Sequence, residues 1–159
     1  MSLDSLIQRV AEETFEALAF MMPMPADDEP SADAPTVIAS VRFAGPFAGT
    51  LLLTVEQAML AELAGNMLGM MDPDDLTAEQ QIDGLKELLN VICGNLLPEL
   101  AGEEAVFDVL APEMIPGAPA PAGDAAPLAS VCLALDAGRA ALSLYAPADA
   151  PVLVTHGPG

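Results

Sequence analysis

The segment LTAEQQIDGLKELLNVICGNLLPEL, residues 76–100, predicts a long amphipathic helix at the centre of the fold. Thr77 and Gln80 have the spacing of a capping box, which satisfies two backbone N–H groups where a helix begins. Pro98 has no backbone N–H, so we expect the helix to kink or end near it. Apolar residues recur on one side of the segment and are expected in the core: Ile82, Leu85, Leu88, Leu89, Ile92 and Leu96.

The opposite side of this helix carries a narrow polar stripe formed by Asp83, Glu87, Asn90 and Gly94. At about 100° per residue, the four positions fall within about 60° of one another around the helix axis. The stripe does not favour the helix itself, because Asp83 and Glu87 are like charges one turn apart and Gly94 costs about 1 kcal/mol relative to alanine. It indicates a surface that meets a partner, with Gly94 allowing close approach. A merely solvated helix face would explain the same pattern.

The chain before this helix predicts one helix and two strands. Residues 2–22 have helical periodicity that stops at Pro23, and an acidic, proline-rich loop follows over residues 23–35. Residues 36–55 alternate as two strands that turn around Gly45-Pro46.

A second capping-box spacing, Thr54 with Gln57, predicts a further helix that ends near Gly69. After the central helix we expect a strand at 104–111, a proline- and alanine-rich loop at 112–127, and two strands within 128–147 that turn at Asp136-Ala137-Gly138.

This order of elements predicts an α+β fold, with helices packed on an antiparallel β-sheet. The elements form two halves that resemble a loose structural duplication, without a sequence repeat. A length of 159 residues suits one domain, and we expect residues 1–159 to form it.

The charge of the chain excludes several classes of partner. It has 24 acidic and four basic residues, a net charge of −20, which repels nucleic-acid backbones and anionic membrane surfaces. No apolar run reaches the ~20 residues of a membrane span. The charge favours a partner with exposed lysine or arginine side chains.

Residues able to bind metals or act as nucleophiles are scarce. Cys93 and Cys132 lie far apart in apolar runs, which is typical of reduced core thiols in a cytoplasmic protein. The one histidine, His156, lies in a Gly-Pro-rich tail. This inventory argues against a zinc site and against a hydrolase that uses a histidine base.

The segment DGLKELLNVICGN, followed by VLAPEMIPG, resembles the CheC/CheX/FliY family of chemotaxis phosphatases. That family carries an acidic or serine residue, then Glu-x-x-Asn on a helix, then a proline. Asp83, Glu87, Asn90 and Pro112 stand at the matching positions. CheC-like members carry a second Glu-x-x-Asn in the first helix, which has no asparagine here, so the chain resembles the single-site CheX-like branch.

The resemblance implies an enzyme that hydrolyses the aspartyl phosphate of the response regulator CheY. It implies that Asn90 orients the attacking water, that Glu87 pairs with the regulator's active-site lysine, and that Asp83 and Gly94 contribute to partner binding. The protein would need no metal or cofactor of its own, because Mg²⁺ is bound by the regulator.

The resemblance also implies an oligomeric state. CheX-like relatives form dimers through their sheets, so we expect a homodimer. The apolar segments LLLTV (51–55), VCLAL (131–135) and LSLY (142–145) could supply an unprotected sheet edge.

The alternatives to a phosphatase are a non-catalytic module that binds a phosphorylated receiver domain, and a structural or dimerisation domain whose stripe is only solvated.

Overall fold

A computed structural model describes residues 2–26, 35–69, 75–115, 127–136 and 138–147. The helices are α1 (Leu3–Ala19), α2 (Leu60–Leu68) and α3 (Ala78–Ala101), with a short 3₁₀ turn (Gln57–Met59) before α2. The strands are β1 (Met24–Ala26), β2 (Thr36–Ala44), β3 (Ala48–Glu56), β4 (Asp108–Val109), β5 (Glu113–Ile115), β6 (Ala129–Leu135) and β7 (Gly138–Tyr145).

The strands form one antiparallel sheet in the order β1-β6-β7-β3-β2-β4, with β5 also paired to β2. This arrangement confirms the predicted α+β class. The strands β3, β6 and β7 lie inside the sheet with a hydrogen-bonded neighbour on both sides. The expectation that their apolar segments supply an unprotected edge is therefore wrong, because the described sheet ends at β1 and at β4.

The helices pack on one face of the sheet and enclose the core. Along β3, Leu51, Leu53 and Val55 point into this core at the period-two spacing of a strand, while Leu52 on the other face is also buried. α1 and α3 contact each other, and α2 contacts both. The β2–β3 turn is fixed by three edge-to-face aromatic contacts among Phe43, Phe47 and Phe107, whose ring centroids lie 5.4–5.8 Å apart.

The first helix ends earlier than the sequence predicts. α1 stops at Ala19 because Phe20 adopts a left-handed conformation (φ 53°), so that Pro23 lies beyond the end of the helix. The Met21 N–H then donates to the Phe15 carbonyl, a bond that closes the helix terminus.

The two capping-box spacings have different outcomes. At Thr77 the box is confirmed, since the Gln80 N–H donates to the Thr77 hydroxyl and the Thr77 N–H donates to the Gln80 side chain. At Thr54 it is wrong: β3 continues to Glu56, and α2 begins without a side-chain cap. Gly69 ends α2 as predicted, with a left-handed φ of 71°.

The central helix continues past its proline. α3 runs through Pro98 and ends three residues later at Ala101, which agrees with the expectation that it ends near the proline. Pro98 is exposed and only removes one N–H from the helix, while the Gly102 N–H caps the terminus by donating to the Pro98 carbonyl.

The segment after α3 forms less strand than predicted. Within 104–111 only Asp108–Val109 pairs with β2, and β5 forms inside the expected loop 112–127. Between them the Leu110 N–H still donates to the Arg42 carbonyl, and one extra residue shifts the register before β5 begins after Pro112. Strand β1 likewise forms inside the expected loop 23–35.

Some expectations fall outside the described residues, namely His156, Ala137 of the last turn and most of the two loops (27–34 and 116–126). Within the described part of the chain, no helix combines the length and apolar character needed to cross a membrane.

Candidate functional site

The stripe lies on the outer face of α3, whose inner face is held in the core. Leu85, Leu88, Leu89, Ile92 and Leu96 are buried, as the periodicity predicts, whereas Ile82 is only half-buried. Asp83, Glu87, Asn90 and Gly94 are all exposed, so the structure brings the four predicted positions together on one accessible surface.

The side chains of the stripe are available for a partner. Within the described residues, Asp83, Glu87 and Asn90 form no side-chain hydrogen bond and no ion pair. A Cβ on Gly94 would meet no atom within 4 Å, so the helix backbone itself is open to close approach at that point. The stripe thus offers two carboxylates, one carboxamide and one bare backbone position.

Neighbouring elements hold α3 in place. Arg9 of α1 forms an ion pair with Glu99 near the end of α3, with an N–O distance of 3.3 Å. It forms a second ion pair with Glu13 of α1, with an N–O distance of 3.4 Å. α2 crosses α3 at Gly84, where only a residue without a side chain fits beside Ala64. This crossing was not predicted, although a glycine inside a helix, which costs about 1 kcal/mol relative to alanine, is a sequence signal for a close helix contact.

Pro112, the last position of the resemblance, lies half-buried between β4 and β5. β5 begins directly after it, where Glu113 is opposite Ser40 of β2, and the same strand contacts α3. The proline therefore belongs to a segment that reaches the helix carrying the stripe.

The first helix carries no second site of the same kind. It has no asparagine, and its exposed positions include Glu13 and Glu16. Asn66 of α2 is already engaged, since its side-chain N–H donates to the Ala19 carbonyl at 2.7 Å. Asn95, although exposed on α3, lies about 140° around the helix from Asn90.

The cysteines do not form a reactive centre. Burial raises the pKa of the Cys93 thiol to about 12, which keeps it protonated at neutral pH. Cys132 is half-buried on β6. In the described ranges no three His, Cys, Asp or Glu side chains are grouped so as to hold a metal ion.

The topology places the chain in the structural class of the CheX and CheC proteins. CheX from Vibrio vulnificus is similar with a TM-score of 0.70 and 17% identity, over 90% of this chain and 95% of that chain. CheX from Desulfovibrio desulfuricans is similar with a TM-score of 0.67 and 17% identity, over 90% of this chain and 97% of that chain. A CheX–CheY–BeF3–Mg²⁺ complex from Borrelia burgdorferi is similar with a TM-score of 0.62 and 16% identity, over 89% of this chain and 96% of that chain.

The sequence profile of the family described as chemotaxis phosphatase CheX matches residues 37–135. This chain belongs to the CheX family. A search of curated proteins by sequence gives no match.

Proposed function

We propose that this protein hydrolyses the aspartyl phosphate of a CheY-like response regulator, using the stripe on α3. Membership of a chemotaxis phosphatase family supports the activity, and the Borrelia burgdorferi relative was solved together with CheY. The observation that carries the proposal is that Asp83, Glu87, Asn90 and Gly94 form one exposed, unpartnered face on a helix anchored in the core.

Asn90 is the residue that acts on the water. A carboxamide is too weak a base to remove a proton, but it both donates and accepts hydrogen bonds. Phosphoryl transfer depends mainly on positioning and electrostatics, so an amide that holds one water in line with the phosphorus is a sufficient contribution. The packing of α3 in the core suits this task, because the Asn90 carboxamide needs a fixed position relative to the docked partner.

Glu87 and Asp83 contribute to binding of the response regulator. Glu87, one turn before Asn90 on the same face, pairs with the active-site lysine of the regulator and sets the docking register. Asp83 supports this pairing by adding a second negative charge one turn further back. Gly94 permits the partner to approach the helix closely.

The protein supplies no cofactor in this reaction, since Mg²⁺ and the phosphoryl group both belong to the regulator. With a net charge of −20, association with a lysine-bearing face is assisted by electrostatic attraction. Raising the ionic strength should therefore slow association and weaken apparent affinity.

We further propose a cytoplasmic homodimer that forms through β1. This strand lies at the end of the described sheet, and Met24 within it is 66% exposed. α3 packs against β2, toward the other end of the sheet from β1, so the stripes of both protomers stay open in such a dimer.

The test is a phosphatase assay against the receiver domains encoded in the same genome, each phosphorylated with acetyl phosphate and Mg²⁺. Accelerated loss of phosphate from one of them supports the proposal. Co-sedimentation without acceleration would instead identify a module that binds phosphorylated receivers, and neither acceleration nor binding would leave a structural domain.

A further inference from the structure

The stripe presents an electrostatic problem for a phosphatase. Glu79, Asp83 and Glu87 place three carboxylates on the exposed side of the first half of α3. A phosphoryl group carries about two negative charges at neutral pH, so carboxylates within two helical turns oppose its approach. Mg²⁺ and the lysine of the regulator offset part of this repulsion, and a positive charge of this protein close to Asn90 would offset more of it.

Lys86 is the one lysine of the chain, and it lies one turn before Asn90. Residues four apart on a helix have Cβ atoms about 5–6 Å apart. Helical side chains also lean toward the N-terminus, so the Asn90 carboxamide leans over the turn that carries Lys86. The two residues lie about 40° apart around the axis, with Lys86 on the edge of the stripe.

The ammonium group of Lys86 is not used by the fold. Within the described residues it forms no ion pair within 4 Å, although Asp83 lies three residues before it. In contrast, Arg9 pairs with two glutamates and connects α1 to α3. Lys86 is half-buried, which fits a stem that packs along the surface while the charged end stays in water.

We propose that Lys86 contacts the phosphoryl oxygens of the docked regulator and stabilises the charge on them during hydrolysis. This inference rests on the proposed function, because it places the phosphoryl group at Asn90. A fixed positive charge aimed at a transferring phosphoryl group is a recurring part of such sites. No covalent bond to Lys86 is formed, and its proton is not transferred.

Three variants separate this role from general attraction. Lys86→Met removes the charge but keeps an unbranched stem, and Lys86→Arg keeps the charge. Arg42→Gln is the matched control, because Arg42 is exposed on β2 and its loss changes the net charge equally. The substrate is the receiver identified by the phosphatase assay, charged with acetyl phosphate and Mg²⁺. Binding is measured to the unphosphorylated receiver and to its beryllofluoride-loaded form.

We expect Lys86→Met to lower kcat/KM about tenfold, whereas Lys86→Arg and Arg42→Gln stay within about twofold of the unmodified protein. The affinity of Lys86→Met should fall for the beryllofluoride-loaded receiver and stay unchanged for the unphosphorylated one. Full activity of a folded Lys86→Met protein would overturn the proposed role of Lys86 and leave the proposed function standing. So would an equal loss of affinity for both forms of the receiver, which is the result for a general docking charge. An unmodified protein that accelerates no receiver would overturn this inference together with the proposed function.

Discussion

Gly84 of α3 lies so close to α2 that a Cβ placed on it would stand 2.8 Å from the Cβ of Ala64. This contact fixes where the two helices cross, one residue away from the first member of the stripe. Gly94 on the same helix presents the opposite case, since a Cβ there would meet nothing. The two glycines are therefore matched probes of close packing and of open surface.

Gly84→Ala should lower the free energy of unfolding by up to about 2 kcal/mol, because the added methyl group forces the helices apart at a cost that exceeds the gain of about 1 kcal/mol in helix propensity. Gly94→Ala should raise it by about 1 kcal/mol, since alanine is the better helix former and nothing obstructs it. Urea unfolding of both variants measures the difference. The same change in the free energy of unfolding in both variants would show that α2 and α3 are not closely packed at Gly84.

Asn90→Ala should abolish most of the acceleration of dephosphorylation while the fold remains intact. Loss of one positioned polar group of this kind costs about 100-fold in rate, and an exposed Asn→Ala change alters stability by less than about 0.5 kcal/mol. The dephosphorylation rate is measured at saturating protein, together with the melting temperature.

Asn95→Ala is the control for this experiment, since it removes the same group from the exposed surface of the same helix but off the stripe. It should keep full activity. Full turnover by a folded Asn90→Ala protein would contradict the assignment of the attacking water to Asn90.

Glu87→Ala should weaken docking rather than chemistry. Its expected partner is a lysine, so the concentration for half-maximal rate should rise about tenfold while the maximal rate changes little. Asp83→Ala should have a smaller effect of the same kind. Glu16→Ala, on the exposed face of α1, removes one carboxylate without touching the stripe and should be neutral. An equal effect of Glu16→Ala would mean that only net charge matters.

The stability of the protein should fall at alkaline pH because of Cys93. Burial raises the pKa of this thiol from 9.0 to about 12, so above pH 9 the unfolded chain loses a proton that the folded chain retains. The stabilising contribution is complete below pH 9 and is lost at about 1.4 kcal/mol per pH unit as the pH rises toward 12. Urea unfolding between about pH 8 and 10.5 should show this slope in the unmodified protein and a smaller one in Cys93→Ala. Parallel slopes would exclude the thiol as the cause.

The homodimer can be tested at the end of the sheet. Met24→Lys places a charge on exposed β1 and should yield a monomer by light scattering at micromolar concentration, because an edge charge disfavours strand pairing. Val106→Lys alters another exposed apolar residue, two positions before β4, and should leave the dimer unchanged. A monomeric unmodified protein would refute the dimer outright.

The comparison of Thr54 with Thr77 shows what the sequence determines and what it leaves open. Both threonines precede a glutamine by three residues, yet only Thr77 caps a helix. Thr54 is opposite Ile38 of β2 and Ala141 of β7, so strand pairing on both sides overrides the local signal. The stripe was predictable because helical spacing alone determines which residues share a face. For the close contact of Gly84 with Ala64 the only sequence signal was a glycine inside a helix, and its partner could not be named because that depends on how two helices meet.

The separation of the site from the core has an evolutionary consequence. Every member of the stripe is exposed, so substitutions there can create or remove a site while the buried face of α3 stays the same. α1 shows that few substitutions would be needed to create a second site. Glu13 and Glu16 are exposed on it, and Glu16→Asn would complete the Glu-x-x-Asn spacing on a second helix, where Arg9 now pairs with Glu13 and would also have to be replaced. A single scaffold can thus give rise to lineages with one site, two sites or none, without passing through an unfolded ancestor.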